Sequence, residues 1–278
     1  MKKSARKHNC GASLPRVLGM PGLLILLACA ATHCLAQSVP KAFQGVWQVS
    51  SVLVDTGATR TLRYQNDDDR LKGRIITIGA DRVTTDLPED KLCAGLTMTA
   101  RQTTAGALIG STMGSRGAPP EVPTPKDYEL GVSSGASIEA WWVSCTEGNL
   151  GPGREGGAWI IALPNGQLAM RWYDLTILRL ARLPENAKPQ PSFNCAKAAL
   201  PAERAICASL PLAAFDRSVA DSYSYVVQHL TEVGDQDALK RARAEQRAWL
   251  PQRNACGADA ACLQKSMETR LQELSAIQ

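Results

Sequence analysis

Hydrophobic and polar residues alternate in short runs between residues 42 and 183, and this two-residue period predicts β-strands. Glycine, proline, asparagine and aspartate separate the runs, as expected where a chain turns. The run IIALPNGQLAMRW predicts a hairpin, because its Asn165-Gly166 pair adopts the positive φ of a tight turn. The predicted strands, about eight in number, are GVWQVSSVLVD, RIITIGADRVTT, LTMTA, YELG, SIEAWWVS, AWIIAL, QLAMRW and LTILRLARL.

After residue 192 the period changes to steps of three and four residues, which predicts amphipathic helices. Pro201 and Glu203 suit the first and third positions of a short helix that ends near Cys207. Longer helices are expected over 212–231 and 236–253. A last helix is marked by Leu263, Met267, Leu271 and Leu274.

Two residues of the 236–253 segment affect the shape of that helix. We expect Trp249 to anchor the core, because a Trp on a polar background more often packs than binds. We expect Pro251 to kink or end the helix, since its ring clashes with the carbonyl four residues back.

The change of period predicts two domains, joined by the segment PENAKPQPS at 184–192 as a linker. Residues 37–183 form an all-β domain, a small antiparallel barrel or sandwich. The triplet GVW near its start resembles the Gly-x-Trp of lipocalin-like barrels. Residues 193–278 form an all-α helical bundle, whose small core benefits from disulfide staples.

Residues 1–36 are predicted to be a signal peptide rather than part of the fold. They combine a basic start with the apolar run VLGMPGLLILLACAA, which is short for a transmembrane helix of about 20 residues. Cleavage after Ala36 leaves six cysteines, an even number, in a periplasmic or secreted protein without a transmembrane segment. The alternative is a lipoprotein anchored at Cys29, which would leave Cys34 unpaired.

The charge distribution bears on the class of partner. The net charge of +5 is carried by the signal segment, so the rest of the chain is neutral. A neutral protein has no long-range field that would steer it to nucleic acid or to an anionic membrane. Nucleic acid is therefore not expected as a partner.

The cysteines beyond Ala36 are expected to form disulfides, because export places them in an oxidising compartment. Cys93 and Cys145 are the two cysteines of the β-rich part, so we pair them. The spacing of the others fits neither the close pairs of a zinc site nor a Cys-x-x-Cys redox motif. Their role is therefore predicted to be structural.

The four cysteines of the helical part leave two pairings open. If the two long helices form a hairpin, Cys207–Cys256 and Cys195–Cys262 would be nested at its open end. This scheme is favoured because longer loops gain more, roughly 3–4 kcal/mol for each bond. The alternative is local pairing, Cys195 with Cys207 and Cys256 with Cys262.

The helical part resembles the LprI N-terminal family, an exported helical module, over residues 192–275. The likeness rests on FNCAKAALPAERAIC, LAAFDRSVADSY and EQRAWLPQRNACGADAACLQ. It departs from the family pattern at Leu200, Phe215 and Pro251. Because the family takes its name from inhibition of lysozyme, the resemblance implies a protein that binds a muramidase. The matching positions are Cys195, Glu203, Cys207, Asp216, Gln246, Trp249, Leu250, Arg253, Cys256, Cys262, Arg270 and Leu274.

No catalytic, cofactor-binding or metal-binding residues are predicted, and we expect that the protein is not an enzyme. His229 is the one histidine beyond Ala36, which leaves no His cluster for a metal. The run DDDR at 67–70 lacks the alternating ligands and the glycine of an EF-hand loop. A glycosidase built on two carboxylates leaves no signature in a sequence and stays open.

Two binding functions remain. The first is inhibition of a lysozyme-like muramidase by protein–protein binding through residues 192–278, where Arg247, Arg253 or Arg270 would pair with carboxylates of the enzyme cleft. Animal lysozymes are strongly basic, so an acidic patch is the other means of meeting such an enzyme. The second is a binding module for a hydrophobic ligand or an envelope protein, with the β-rich part as the binding part. The acidic patch of the first function comprises Asp67, Asp68 and Asp69 with Glu89 and Asp90.

Overall fold

The computed structural model describes residues 38–60, 62–153 and 157–277. The predicted signal peptide, its cleavage site at Ala36 and the alternative anchor Cys29 lie outside the described residues. The described residues belong to one compact unit, which consists of a curled antiparallel sheet followed by C-terminal helices.

Ten strands form the sheet within the described ranges, and their order is β5-β6-β8-β9-β10-β1-β2-β3-β4-β7. Every neighbouring pair is antiparallel. The strands are β1 (Gly45–Leu53), β2 (Ile75–Ile78), β3 (Arg82–Thr85), β4 (Leu92–Ala94), β5 (Thr97–Thr104), β6 (Ser137–Ser144), β7 (Glu147–Gly148), β8 (Trp159–Ala162), β9 (Leu168–Trp172) and β10 (Thr176–Arg182).

A disulfide between Cys93 and Cys145 joins the two ends of this strand order, with the Cα atoms 5.3 Å apart. Cys93 lies in β4, next to one edge, and Cys145 directly follows β6, next to the other. The sheet must therefore curl to bring them together, and it forms a half-barrel. The pairing expected from the sequence is the one present.

Several details of the β-rich part differ from the sequence prediction. The run RIITIGADRVTT forms two strands, β2 and β3, and the short strands β4 and β7 were not predicted. The run YELG is a turn, because Glu129 takes a positive φ of 49° and the Leu130 N–H donates to the Pro125 carbonyl. A helix that was not expected, α1 (Ala105–Thr112), follows β5 directly. The Thr104 hydroxyl caps it by accepting from the Ala107 N–H.

The predicted hairpin over β8 and β9 is confirmed. The Leu163 N–H donates to the Gln167 carbonyl at 2.9 Å, and Gly166 supplies the positive φ, 77°. Asn165 is not in the left-handed region, so the turn is a three-residue loop with glycine at its last position.

Both faces of the sheet are covered by buried side chains. One cluster includes Met98 of β5 and Cys93 of β4, from opposite ends of the sheet, and so lies inside the curl. Trp47 and Trp172 are fully buried there and fill it. Successive side chains of a strand point to opposite faces, and Trp159 of β8 accordingly joins a second cluster with α1.

Four further α-helices and a 3-10 turn (Cys195–Lys197) make up the described C-terminal part, close to the predicted bounds. The expectation that Pro251 ends its helix is wrong, because the helix continues for about one more turn. A proline there removes a single hydrogen bond, to the carbonyl four residues back. The helices are α2 (Pro201–Ala208), α3 (Leu210–Glu232), α4 (Gln236–Asn254) and α5 (Ala260–Ser275).

The helices pack around their own apolar core. Phe215 and Val219 of α3 are buried against Leu263 and Met267 of α5. Trp249 of α4 belongs to the same core, and its indole N–H donates to Ser266 at 3.1 Å. Trp249 therefore has the packing role expected from the sequence.

The nested disulfide pairing is wrong, and the local alternative is present. Cys195 is bonded to Cys207, and Cys256 is bonded to Cys262. The first bond ties the 3-10 turn to α2, and the second spans the turn between α4 and α5. Each bond therefore fixes the end of a helix to an adjacent turn and does not link the open end of the hairpin formed by α3 and α4.

Candidate binding site

The sheet meets the helices at a contact built on Arg74, which directly precedes β2. Arg74 is fully buried, and its guanidinium carbon lies 3.5 Å from the centre of the Phe215 ring. Its Nη2 donates to the Ser218 hydroxyl at 2.8 Å, and this hydroxyl donates to the Lys72 carbonyl. Phe215 and Ser218 lie three residues apart on α3 and so share one face. One turn of α3 is thereby fixed to the sheet.

A charged residue at such depth is unusual. The Arg74 Nε and Nη1 atoms have no hydrogen-bond partner among the described residues. Burial lowers the pKa of Arg74 to about 10, while Asp86 and Glu268 oppose the shift. Arg74 therefore stays charged at neutral pH, and one carboxylate from the sheet part and one from the helical part stabilise that charge.

A cleft of about 470 Å³ opens on one side of this contact, and we call it the α3 cleft. The carboxylates of Asp69 and Asp221 enter it from the loop before β2 and from α3. The pKa of Asp69 is raised to about 6, first by burial and then by repulsion from Asp221, whereas Lys72 opposes the shift. Two repelling carboxylates in one cleft favour an incoming cation.

Basic side chains also line the α3 cleft, and most of them are already bound. Lys72 pairs with Asp67 at 2.9 Å, and the Arg217 guanidinium donates to the Pro191 carbonyl. Lys188 is exposed at the rim. The acidic groups therefore have more freedom to meet a partner than the basic ones.

On the other side of the contact lies a cavity of about 340 Å³ between the sheet and α5, which we call the α5 cavity. Asp86, which follows β3, lines it although only 8% of the residue is exposed. Its Oδ1 accepts from the Ile75 N–H at 2.6 Å, and its Oδ2 has no partner among the described residues. Burial raises the pKa of Asp86 to about 6, against the influence of Arg74.

The remaining charges of the α5 cavity have both signs. Arg70 is held by Asp68 through two hydrogen bonds, and Arg63 lies 3.3 Å from Glu89. Both guanidinium groups lie over the Tyr64 ring. Two further charged residues, Glu268 and Lys265, line the cavity from α5.

The structure divides the acidic patch that the sequence suggested. Asp68 is 1% exposed and bound to Arg70, and Asp90 is buried with Tyr173 and the Gly151 N–H. The Glu89 carboxylate accepts from the Tyr64 hydroxyl and the Trp172 indole. These three carboxylates bind groups inside the protein, so the patch does not form one continuous surface.

Asp67 and Asp69 remain as the accessible members of that patch. Asp67 is exposed but neutralised by Lys72, and its Oδ1 accepts from the Val52 N–H. Asp69 is half-buried and lies in the α3 cleft.

Arg253 does not suit the partner-binding role suggested for it, because it is 5% exposed. Its Nη1 donates to Asp216 Oδ1 at 2.8 Å, and Asp216 also accepts from the N–H and hydroxyl of Ser192. Removing one member of a buried ion pair leaves the other charge unpaired. Arg247, by contrast, is exposed on α4.

Two other positions of the family pattern, Glu203 and Arg270, also have internal contacts, whereas Leu250 is exposed. Glu203 accepts from the Leu200 N–H at the start of α2, which lowers its pKa. Arg270 is buried between Gln246 and Glu273, with hydrogen bonds of 3.0 and 2.8 Å. Glu203 and Arg270 therefore help to hold the helices together.

Sequence reasoning missed the residues around the contact between the sheet and the helices. Arg74 begins the run RIITIGADRVTT, Asp86 directly follows it, and Ser218 lies in LAAFDRSVADSY, but none of the three was singled out from the sequence. The Arg74–Ser218 bond joins residues 144 positions apart, which no local pattern can indicate.

Two searches of the described residues bear on other kinds of site. They contain no group of three or more His, Cys, Asp or Glu residues placed to hold a metal ion. None of the helices in these ranges is long and apolar enough to span a membrane.

The fold and site define a half-barrel sheet with a disulfide-bonded helical part and two clefts beside their contact. Comparison of the chain with protein-family models, with curated proteins and with solved structures gave no match.

Proposed function

We propose that this protein is an exported binding protein, not an enzyme, and that it inhibits a lysozyme-like muramidase by receiving basic side chains in the α3 cleft. The observation that carries the proposal is that two carboxylates, Asp69 and Asp221, line one cleft, where burial and then repulsion from Asp221 raise the pKa of Asp69. A guanidinium or ammonium group placed between them would relieve that repulsion.

The class of partner comes from the resemblance of residues 192–275 to the LprI N-terminal family. Lysozymes of animals are strongly basic, so their surfaces offer the side chains that the cleft would receive. In this proposal the residues at the family positions stabilise the helices, and the α3 cleft beside them contacts the muramidase.

The cellular setting of the proposal rests on the sequence and on the disulfides. Three disulfides suit an oxidising compartment. We place the protein in the periplasm or outside the cell after cleavage at Ala36, with a lipoprotein anchored at Cys29 as the alternative. In this proposal the sheet and the helices are two domains in contact.

The alternative function, in which a lipocalin-like sheet holds a hydrophobic ligand, is less favoured. Trp47, Met98 and Trp172 fill the inside of the curl. A hydrophobic ligand would need the space that these side chains occupy.

The test measures peptidoglycan lysis by a panel of lysozymes with the oxidised, purified protein. We expect inhibition, and we expect the double variant Asp69→Asn/Asp221→Asn to inhibit at least about tenfold less, because each charged hydrogen bond contributes about 1.5–3 kcal/mol. The matched control is Asp81→Asn, an exposed carboxylate of the sheet part. Absence of inhibition by the folded wild-type protein would reject the muramidase proposal. Full inhibition by the double variant would reject the α3 cleft as its site.

A further inference from the structure

The α5 cavity contains a buried acceptor that the proposed function does not use. Asp86 is 8% exposed and lines the cavity, and its Oδ2 has no hydrogen-bond partner among the described residues. The other oxygen is held by the Ile75 N–H, so the carboxyl group has a fixed orientation. A buried acceptor without a partner is unfavourable until a donor reaches it. A ligand that donates a hydrogen bond at this point would therefore be stabilised.

The charges around the cavity indicate the net charge of such a ligand. A cationic ligand would meet Arg63 and Lys265, and an anionic ligand would meet Asp86 and Glu268. Each would gain from one pair and be repelled by the other. A neutral ligand with several hydroxyl groups avoids this conflict, because a hydroxyl can donate to the carboxylates and accept from the basic groups.

The walls indicate the shape of the ligand. Pro88 gives the cavity exposed apolar surface beside its charged groups, while Phe215 and Leu271, 1% and 2% exposed, lie buried behind it. A sugar ring has this dual character, with C–H groups on its faces and hydroxyl groups around its edge. The volume of about 340 Å³ lies at the lower end of small-molecule sites, which span about 300–1,000 Å³. One or two sugar rings would suit this space.

We propose that the α5 cavity binds a neutral saccharide of one or two rings, with Asp86 Oδ2 accepting from a ring hydroxyl. Pro88 packs against a face of the ring, at the wall behind which Phe215 and Leu271 are buried. Glu268 and Lys265 contact further hydroxyl groups at the opening. The site is separate from the α3 cleft, so it stands whether or not the protein inhibits a muramidase.

The experiment is calorimetric titration of the full, oxidised protein with neutral sugars at pH 7.5. The probes are methyl glucoside, methyl galactoside, methyl mannoside, N-acetylglucosamine and its β-1,4-linked disaccharide. Arginine amide and glutamate, of similar size and opposite charge, are the charged comparison ligands. We expect at least one sugar to bind with a dissociation constant on the order of 1 mM or lower, as the number of atoms in such a ligand allows.

Asp86→Asn is the decisive variant, because the asparagine Oδ1 can still accept from the Ile75 N–H while its NH2 group replaces the free acceptor. We expect this variant to bind the sugar at least about tenfold more weakly, as loss of a charge-assisted hydrogen bond predicts. Asp81→Asn, on the exposed surface, should bind as the wild type does. Thr269→Trp, which places a large ring at the opening from the exposed side of α5, should also block binding.

Three results would overturn the inference. One is the absence of binding by every sugar up to about 20 mM, well above the expected constant. Another is sugar binding that stays unchanged in folded Asp86→Asn or, if that variant does not fold, in Thr269→Trp. The third is tighter, Asp86-dependent binding of arginine amide or glutamate, which would assign the cavity to a charged ligand.

Discussion

Ionisation of the Asp86 carboxyl group destabilises the folded protein, whereas most surface carboxylates do not have this effect. Burial outweighs the attraction of Arg74 and Lys91 and the hydrogen bond from Ile75, so the pKa rises to about 6. A carboxyl group with a raised pKa binds its proton more tightly in the folded state than in the unfolded state. Its contribution to stability is therefore present at low pH and is lost as the pH rises from about 4 to above 6.

Asp86→Asn should remove this loss, because asparagine does not ionise. Between pH 4 and pH 7 we expect the variant to gain about 2–3 kcal/mol in the free energy of unfolding relative to the wild type. Urea unfolding at a series of pH values measures the difference. Asp81→Asn should leave the pH dependence as it is, and parallel curves for Asp86→Asn and the wild type would contradict the prediction.

Single residues also show where sequence reasoning stops. The role of Trp249 as a core residue could be predicted from its place on a polar helix, and the structure buries it with Ser266 as partner. The burial of Arg253 could not be predicted, since the partner that neutralises it, Asp216, lies 37 positions away. The burial of Asp86 and Arg74 could not be predicted either, because it depends on the packing of α3 on the sheet.

At the scale of elements, the local pattern predicts a helix or strand well where its limits are set by neighbouring residues. Helix α2 begins at Pro201 and is capped by Glu203, and Gly166 turns the β8–β9 hairpin. Prediction fails where distant contacts decide. The residues of YELG suit a strand, but the segment forms a turn, because Leu130 bonds to Pro125 and Glu129 has a positive φ.

The disulfides are elements whose contributions should differ with the length of chain that each one closes. The bonded cysteines are 52, 12 and 6 positions apart, so the chain-entropy relation gives about 4, 3 and 2 kcal/mol. We expect Cys93→Ala/Cys145→Ala to lower the free energy of unfolding most and Cys256→Ala/Cys262→Ala least. Denaturant unfolding of the three double variants tests this order, and a reversed order would contradict it.

For the whole molecule, the contact of Arg74 with Phe215 and Ser218 joins the sheet to the helices. Lys91 of the sheet part and Glu268 of α5 add an ion pair at 3.2 Å. Because the contact is buried, we expect the two parts to unfold together in one transition.

A Trp249→Phe background makes this cooperativity measurable. Of the six tryptophans, the other five then lie in the sheet part and report on it by fluorescence, while circular dichroism at 222 nm reports on the helices. The two midpoints should coincide. Phe215→Ala should shift both together, by about 3–5 kcal/mol as for a buried phenylalanine, and exposed Tyr225→Ala on the same helix should shift neither. Separate midpoints in the Trp249→Phe protein would show that the parts unfold independently.

The connectivity of the disulfides has a consequence for how the molecule matures. In the described part of the chain, Cys93 bonds Cys145, Cys195 bonds Cys207, and Cys256 bonds Cys262, so each bond joins two cysteines that are consecutive there. In a chain that enters an oxidising compartment with its N-terminus first, each native partner is the next thiol to arrive. An oxidant that simply links thiols in order of arrival would produce the native set, and correct maturation would need no isomerase to rearrange mispaired bonds.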